Sequence, residues 1–230
     1  MRMNGRQFKS LADRDLLLIK DNLAVTFRDD IINGRLVPGE KIVEAKWATR
    51  LGASQTSIRE AINILAAEGF VQKGSGRTAR VTKLSDEDVL HSYELRAVLE
   101  GYAARVVAQA HQDLSDLEQT LSDMGAAIER RNLRAFYERD LKFHLLLAEM
   151  TGNRMLEHAV RRTIVPLFAF VVIRVQGART TPEQWTKSLD QHRRILEALR
   201  TEDGPLAERL VADIIGAFRV ETKNVLEGVG

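Results

Sequence analysis

The sequence predicts a mostly α-helical protein of two domains, a small helical unit with one hairpin followed by an all-α antiparallel helical bundle. Three observations support this prediction. Residues 42–81 combine two short helical segments with a glycine-bearing hairpin, and the chain after residue 85 shows helical periodicity without a convincing strand. At 230 residues the chain also exceeds a usual single domain. We expect the domains to be residues 1–84 and 85–230.

A first helix is predicted at 15–33, where Gly34 would end it. Apolar side chains recur there every three or four residues, which is the spacing of one helix face. They are Leu16, Ile19, Leu23, Phe27 and Ile31. This face should pack against the short helices that follow, whereas residues 1 to about 12 show no such period.

Two short helices are predicted at Glu44–Leu51 and Gln55–Ala67, separated by a glycine turn. Ser54 precedes the second helix, and its hydroxyl can accept a hydrogen bond from a first-turn amide. The second helix has an apolar stripe that would be buried, formed by Ile58, Ala61, Ile62 and Leu65. Its polar side chains are therefore left on other faces, where they suit base edges and phosphates.

A hairpin follows, with strands predicted at 70–73 and 77–81 around a turn at 74–76. Lys73, Arg77 and Arg80 make it basic. A helix, a turn, a second helix and a basic hairpin form a winged helix-turn-helix, which places its second helix in the DNA major groove.

The distribution of charge agrees with DNA binding by the first domain. Residues 1–84 carry 15 Lys+Arg and 9 Asp+Glu, a net charge of +6, whereas residues 85–230 carry 19 and 23, a net charge of −4. A positive domain gains affinity for DNA by releasing counterions from phosphates. Chance segregation of charge is the alternative explanation.

The stretch AKWATRLGASQTSIREAINILAAEGFVQKGSGRTARV at 45–81 resembles the amino-terminal domain of the GntR family of bacterial transcription regulators. The resemblance implies that residues of the second helix and of the wing tip contact DNA. The candidates are Arg50, Ser54, Gln55, Thr56, Arg59, Ser75, Gly76 and Arg77. Position 55 departs from the family, which usually has arginine there, and glutamine prefers adenine edges. For Arg59, a solvated helix charge is the alternative.

Seven helices are predicted after the wing. They span 86–110, 114–130, 132–150, 154–163, 166–178, 182–201 and 205–226. Ser85, with Asp88 three residues later, predicts a capping box at the first of them, and Pro166 is expected to separate two others. The set resembles the FCD ligand-binding domain of the FadR subfamily within the GntR regulators. The matching segments are YELRAVLEGYAAR at 93–105, DLKFH at 140–144, TGN at 151–153 and HRRILEAL at 192–199.

Three polar side chains are expected to point into the bundle. Asp140 and His144 are one helical turn apart among apolar residues, and His192 shares an apolar stripe on a later helix. Carboxylate and imidazole donors favour a divalent Zn, Ni, Mn or Fe ion, whereas a hydrogen-bonded structural pair is the alternative. The FCD resemblance makes all three residues metal ligands. It places a fourth ligand at Ile214, which cannot serve, so metal binding stays open.

An organic-acid effector would need a cation in the same domain. Arg96 is the candidate, and an ion pair between Arg96 and Glu100 at i, i+4 is the alternative. Asn153, in the TGN segment, is a second candidate effector contact.

These features predict a ligand-responsive transcription regulator that binds a short palindromic operator as a homodimer, because one winged helix contacts only a few base pairs. The alternatives are a metal-dependent enzyme that uses Asp140, His144 and His192, and an architectural DNA-binding protein without an effector. The chain has no HExxH, GxSxG or P-loop motif and no cysteine, so we predict no catalytic residue. Its longest apolar run, 164–173, is too short to span a membrane, and no signal peptide is apparent. We expect a cytoplasmic protein.

Overall fold

The structure is a computed structural model that describes residues 11–74, 78–175 and 181–228, with the side chains of 11–18, 170 and 172–175 left undescribed. The chain divides into two compact units, Met1–Lys83 and Leu84–Gly230. The predicted fold class is confirmed, because helices dominate both units and the sheet found among the described residues has three short strands.

The first unit contains α1 (Leu11–Ile32), β1 (Lys41–Ile42), α2 (Glu44–Leu51), α3 (Gln55–Ala67), β2 (Val71–Lys73) and β3 (Ala79–Val81). The second unit contains α4 (Asp86–Gln109), α5 (Ser115–Glu129), α6 (Leu133–Met150), α7 (Arg154–Val175), α8 (Pro182–Arg200) and α9 (Gly204–Leu226). The predicted helices α2 and α3 have the observed bounds.

The core of the first unit lies where α1 packs against α3. Phe27 is fully buried, with its ring centroid 4.8 Å from that of Trp47 on α2. The prediction was wrong for Ile19, whose side chain is 44% exposed, while Leu16 lies outside the described side chains. Periodicity assigns a residue to a helix face, but it does not show how far along the helix a covering element extends.

The three strands form an antiparallel sheet in the order β1-β3-β2. Arg80 is paired with Lys41 on one side and with Gln72 on the other. Strand β1 was not predicted, because two residues are too few to show an alternation of polar and apolar side chains. The predicted turn residues Ser75 and Gly76, together with Arg77, lie outside the described residues.

The second unit is built around α4, which packs closely against α9. Gly101 permits this approach, since a Cβ atom at that position would lie 3.2 Å from the carbonyl oxygen of Glu208. The predicted capping box begins α4: the Ser85 hydroxyl accepts from the Asp88 amide at 3.1 Å, and the Asp88 carboxylate accepts from the Ser85 amide at 2.9 Å.

Helix α7 corrects the predicted break at Pro166. The segments predicted at 154–163 and 166–178 are one helix that ends at Val175, and 176–178 lie outside the described residues. A proline inside a helix costs about 3 kcal/mol because it removes one hydrogen bond and crowds the preceding turn. Its neighbours Ile164, Val165 and Leu167 are buried, and each such side chain contributes about 1.5–3 kcal/mol, which offsets that cost.

In the described part of the chain, no helix is both long and apolar enough to cross a bilayer.

Candidate functional site

The amino-terminal end of α3 is built by a turn and a cap. Gly52 ends α2 in the left-handed conformation, with φ of 61°, and the hydroxyl of Ser54 accepts a hydrogen bond from the Ser57 amide at 3.0 Å. Ser54 therefore caps α3, as its position predicted. Gln55 and Thr56 occupy the first turn of the helix, and both are exposed. Their side chains are accessible to a binding partner.

Arg59 is held by an ion pair within the first unit. Its Nη2 atom lies 2.7 Å from Glu44 Oε2, and its Nε atom lies 3.1 Å from each oxygen of that carboxylate. The side chain of Arg59 remains 42% exposed. Glu44 on α2 therefore orients the guanidinium, which is still accessible. Arg59 is thus an ion-paired side chain and not the solvated helix charge that was the alternative.

Other basic side chains of this unit also have partners. The guanidinium of Arg50 lies 4.5 Å from the ring centroid of Trp47. The Lys73 ammonium on β2 donates a hydrogen bond to Asn63 Oδ1, which joins a wing strand to α3. The sequence does not predict this contact of Asn63, because it depends on how the wing packs against α3. Arg80 donates to the carbonyl of Gly39 at 3.0 Å.

The structure brings together the three residues predicted as metal ligands. Asp140 and His144 lie on α6, His192 lies on α8, and all three are buried. His192 Nε2 lies 2.9 Å from Asp140 Oδ1 and 3.3 Å from His144 Nε2, and His144 Nε2 lies 3.9 Å from Asp140 Oδ1. Two imidazole nitrogens and one carboxylate oxygen therefore converge in the core of the second unit.

The hydrogen-bond partner of His192 determines which of its nitrogens faces the cluster. Its Nδ1 atom is 2.8 Å from the carbonyl oxygen of Ser188, which can only accept, so Nδ1 must donate. In the neutral ring the Nε2 atom then carries a lone pair toward Asp140. Among the described residues, no well-aligned hydrogen-bond donor reaches Asp140 Oδ1, which is itself buried. Converging acceptors of this kind require a cation or a proton between them.

The pKa shifts of His192 and Asp140 agree with a need for positive charge in the cluster. Burial alone would lower the pKa of His192, but the carboxylate of Asp140 raises it above its ordinary value. Burial alone would raise the pKa of Asp140, but the neighbouring charge of His192 lowers it below its ordinary value.

The three atoms also fit a metal ion. A point equidistant from three atoms at separations of 2.9, 3.3 and 3.9 Å lies about 2.0 Å from each, which matches zinc–nitrogen and zinc–oxygen bond lengths. Asp140, His144 and His192 could therefore hold a divalent ion through three protein ligands. Three ligands leave a coordination position for another donor.

Glu100 is a residue of this site that the metal prediction missed. Its Oε1 atom accepts from Arg96 Nε at 2.6 Å, and its Oε2 atom lies 3.3 Å from Arg96 Nη2 and 2.6 Å from His144 Nδ1. Burial would raise the pKa of Glu100, but the charges of Arg96 and His144 hold it at about 2. The Arg96–Glu100 pair was considered from its spacing. Only the fold shows that it touches a metal ligand.

A cavity beside the cluster has a volume of about 20 Å³, which is room for one or two water molecules. Its polar lining includes Arg96 and Asp140, and its apolar lining includes Phe168, Ile214 and Phe218. Ile214 therefore presents an aliphatic group where the FCD resemblance places a fourth ligand.

The candidate effector contact Asn153 has a structural role at the start of α7. Asn153 does not reach the cavity: it is exposed, and its side chain caps α7 by accepting from the amides of Met155 and Leu156 at 3.1 and 3.2 Å. The carboxyl-terminal part of α9 is less buried than Ile214 and Ile215, which line the cavity. Ala217 and Val225 are exposed, because the carboxyl-terminal turns of α9 are not covered on that face.

Two family models match the chain. Residues 19–81 match "Bacterial regulatory proteins, gntR family", and residues 91–217 match "FCD domain". Together they cover both units, and the second match alone spans more than half of the chain.

Related proteins match over most of their length. The chain is 27% identical to a "Probable D-xylose utilization operon transcriptional repressor" of Paenarthrobacter nicotinovorans, over 92% of this chain and 94% of the relative. It is 31% identical to the "HTH-type transcriptional repressor RspR" of Escherichia coli, over 79% of each chain. The solved structure of McbR/YncC from E. coli has a similar fold, with a TM-score of 0.73 and 18% identity over 95% of this chain and all of that one.

Proposed function

The chain belongs to the GntR family of bacterial transcription regulators and carries an FCD domain, and on that premise we propose that a small organic acid controls its binding to a palindromic operator. The relatives are transcription regulators and not enzymes, which excludes the metal-dependent enzyme. One observation carries the proposal: a helix with an exposed first turn, α3, and a small cavity lined in part by the buried polar side chains of Arg96, Asp140 and His144 occur in the same chain. Operator binding would take place in the cytoplasm.

We assign DNA binding to residues 1–84 and effector binding to residues 85–230. Gln55, Thr56 and Arg59 would contact base edges or phosphates, and the wing would contact the adjacent backbone. The first residues of α3 support this assignment, because they are exposed at the end of the helix that a helix-turn-helix directs toward the major groove.

In the second unit we propose that Asp140, His144 and His192 hold one divalent metal ion. Such an ion would supply positive charge and an open coordination position for a carboxylate oxygen. The convergence of three acceptor atoms supports this proposal. Because the cavity is small, an organic acid could enter only if lining side chains move outward.

The first experiment measures operator binding. Fluorescence anisotropy would compare a palindromic duplex from the region upstream of the gene with a random duplex of equal length. We expect preference for the palindrome and affinity that falls steeply with salt, since each phosphate contact contributes a slope of about −0.9 in log K against log salt. Equal affinity for both duplexes would exclude sequence-specific regulation through this region.

A homodimer is proposed because α4 has an apolar surface that the described residues of its own unit leave exposed. Leu95, Val98 and Tyr102 are exposed at three- and four-residue spacing, and Val98 is 69% exposed. Glu94 and Arg105 flank this stripe three helical turns apart. Both charges also have an ion-pair partner within the chain.

A second copy of the chain fits this stripe. If two α4 helices pair antiparallel about a two-fold axis between Leu95 and Tyr102, Glu94 of one copy lies about 3 Å along the helix axis from Arg105 of the other. The pairing would bury the apolar stripe and bring opposite charges together.

Sedimentation tests this surface. Val98→Asp should shift the protein toward the 25.9 kDa monomer, because it buries an unpaired charge in the proposed contact. Met155→Asp is the matched control, since Met155 is 79% exposed but lies on α7. A Val98→Asp variant that remains as dimeric as the control would remove the stripe as the interface.

A further inference from the structure

Glu100 lies on α4 and contacts two functional candidates, Arg96 and His144. Its side chain is fully buried, and a buried carboxylate is costly unless it is paired and hydrogen-bonded. We propose that Glu100 is a positioning residue that holds His144 in the tautomer able to bind a metal ion. This inference rests on the metal site of the proposed function.

Arg96 holds the carboxylate of Glu100 in place. Its Nε and Nη2 atoms approach the two oxygens of Glu100 at 2.6 and 3.3 Å. The guanidinium therefore keeps the carboxylate ionised and also orients it. An ionised carboxylate can only accept hydrogen bonds. Whatever ring nitrogen approaches it must therefore be the one that carries hydrogen.

His144 presents its Nδ1 atom to this acceptor. The distance to Glu100 Oε2 is 2.6 Å, although the approach is too oblique for a well-aligned hydrogen bond. Rotation of the ring that turns the Nδ1–H bond toward Oε2 would align it. With hydrogen on Nδ1, the Nε2 atom of a neutral ring keeps its lone pair, which faces Asp140 and His192.

The two histidines reach the same tautomer through different partners. His192 Nδ1 is opposite a backbone carbonyl, that of Ser188, which no side-chain substitution removes. His144 depends on a side chain from another helix. A carboxylate also makes the imidazole a stronger ligand than a carbonyl does, so the contribution of Glu100 to metal affinity should be measurable.

The Arg96–Glu100 ion pair, which was the alternative for Arg96, gives this arginine a different role from that of an effector anchor. Arg96 was the candidate anchor for an effector carboxylate, yet two of its nitrogens are engaged by Glu100. Arg96 therefore stabilises the metal site through Glu100. The charge of an organic acid would be balanced mainly by the metal ion.

The test compares Glu100→Gln with Glu87→Gln, which makes the same change at an exposed position of the same helix. Calorimetric titration with Zn²⁺ or Ni²⁺ should show affinity lowered about 10- to 100-fold in Glu100→Gln and nearly unchanged in the control. An amide can donate as well as accept, so it no longer imposes one tautomer on His144.

Nitrogen-15 NMR of the histidine rings, on metal-free protein at a pH where the rings are neutral, measures the tautomer directly. We expect His144 to carry hydrogen on Nδ1 in the wild type and to populate both tautomers in Glu100→Gln. A wild type that binds no metal would contradict the proposed metal site, whereas these spectra would still decide the role of Glu100.

Glu100→Gln leaves Arg96 buried without a counter-ion and could fail to fold for that reason alone. The double variant Arg96→Met, Glu100→Gln removes the unpaired charge, and metal affinity should remain low in it. Recovery of wild-type affinity in the double variant would overturn the proposal. So would a Glu100→Gln single variant with wild-type affinity and an unchanged His144 tautomer.

Discussion

The two units of this protein use polar side chains in opposite environments. On α3 the DNA-contact candidates Gln55 and Thr56 are exposed, and Arg59 is partly exposed beside one partner. In the helical unit Asp140, His144 and His192 are all buried against one another. An exposed site contributes little to folding, whereas a buried site must be satisfied in order for the unit to fold. Substitutions should therefore separate binding from stability in the first unit and couple them in the second.

The largest effect should come from His144→Ala. It removes one metal ligand and one buried partner of Glu100, which keeps its ion pair with Arg96, so we expect metal uptake to be abolished and the metal-free protein to lose about 1–3 kcal/mol of stability. Saturating metal should raise the melting temperature of the wild type and have no effect on this variant. At a metal concentration 100 times the Kd, the wild type should gain about 2.7 kcal/mol.

His158→Ala is the matched control for that experiment, because His158 is an exposed histidine of the same unit. Thermal melts with and without EDTA, together with elemental analysis, provide the measurement. A His144→Ala variant that still binds one metal ion per chain would show that His144 is not a ligand.

The next effect should be confined to DNA binding. Arg59→Ala should weaken binding to the palindromic duplex roughly tenfold or more, since a base or phosphate contact is lost. Its melting temperature should stay near that of the wild type, because the arginine is accessible and its ion pair lies at the surface. The expected result is a large loss of DNA binding with little loss of stability.

Arg35→Ala is the control, as Arg35 is also an exposed, ion-paired arginine of the first unit. Anisotropy titrations and thermal melts would be run on both variants. If Arg59→Ala melts far below the control, the Glu44–Arg59 pair is structural, and the contrast between the two units is weaker than we argue.

The smallest effect should come from Ile214→His, which tests whether the wall of the cavity can become part of the site. If metal binds, an added imidazole should tighten binding about tenfold. Without metal, the same change should destabilise the protein by about 1–3 kcal/mol, because a polar ring replaces a packed aliphatic side chain.

Ile215→His controls for the cost of burying an imidazole, since Ile215 is the next residue and also lines the cavity. Calorimetry with Zn²⁺ would compare the two variants with the wild type. Equal metal affinity in all three proteins would show that position 214 does not face the ion.

The sequence alone was sufficient for the mostly α-helical fold, for the exact bounds of α2 and α3, and for the three converging residues Asp140, His144 and His192. These features are local: helical periodicity, caps, glycine turns and i, i+4 spacing are properties of neighbouring residues. The resemblance to a known family then assigned chemistry to spacings that are weak evidence by themselves.

Tertiary structure decided the features that depend on distant residues. Glu44 orients Arg59 across 15 positions of the chain, and Glu100 reaches His144 across 44, so no local pattern reveals either contact. Helix α7 also continues through Pro166, because the burial of the neighbouring side chains outweighs the local cost of a proline in a helix. Periodicity indicates which side of a helix is apolar, but only packing shows which partner lies against it.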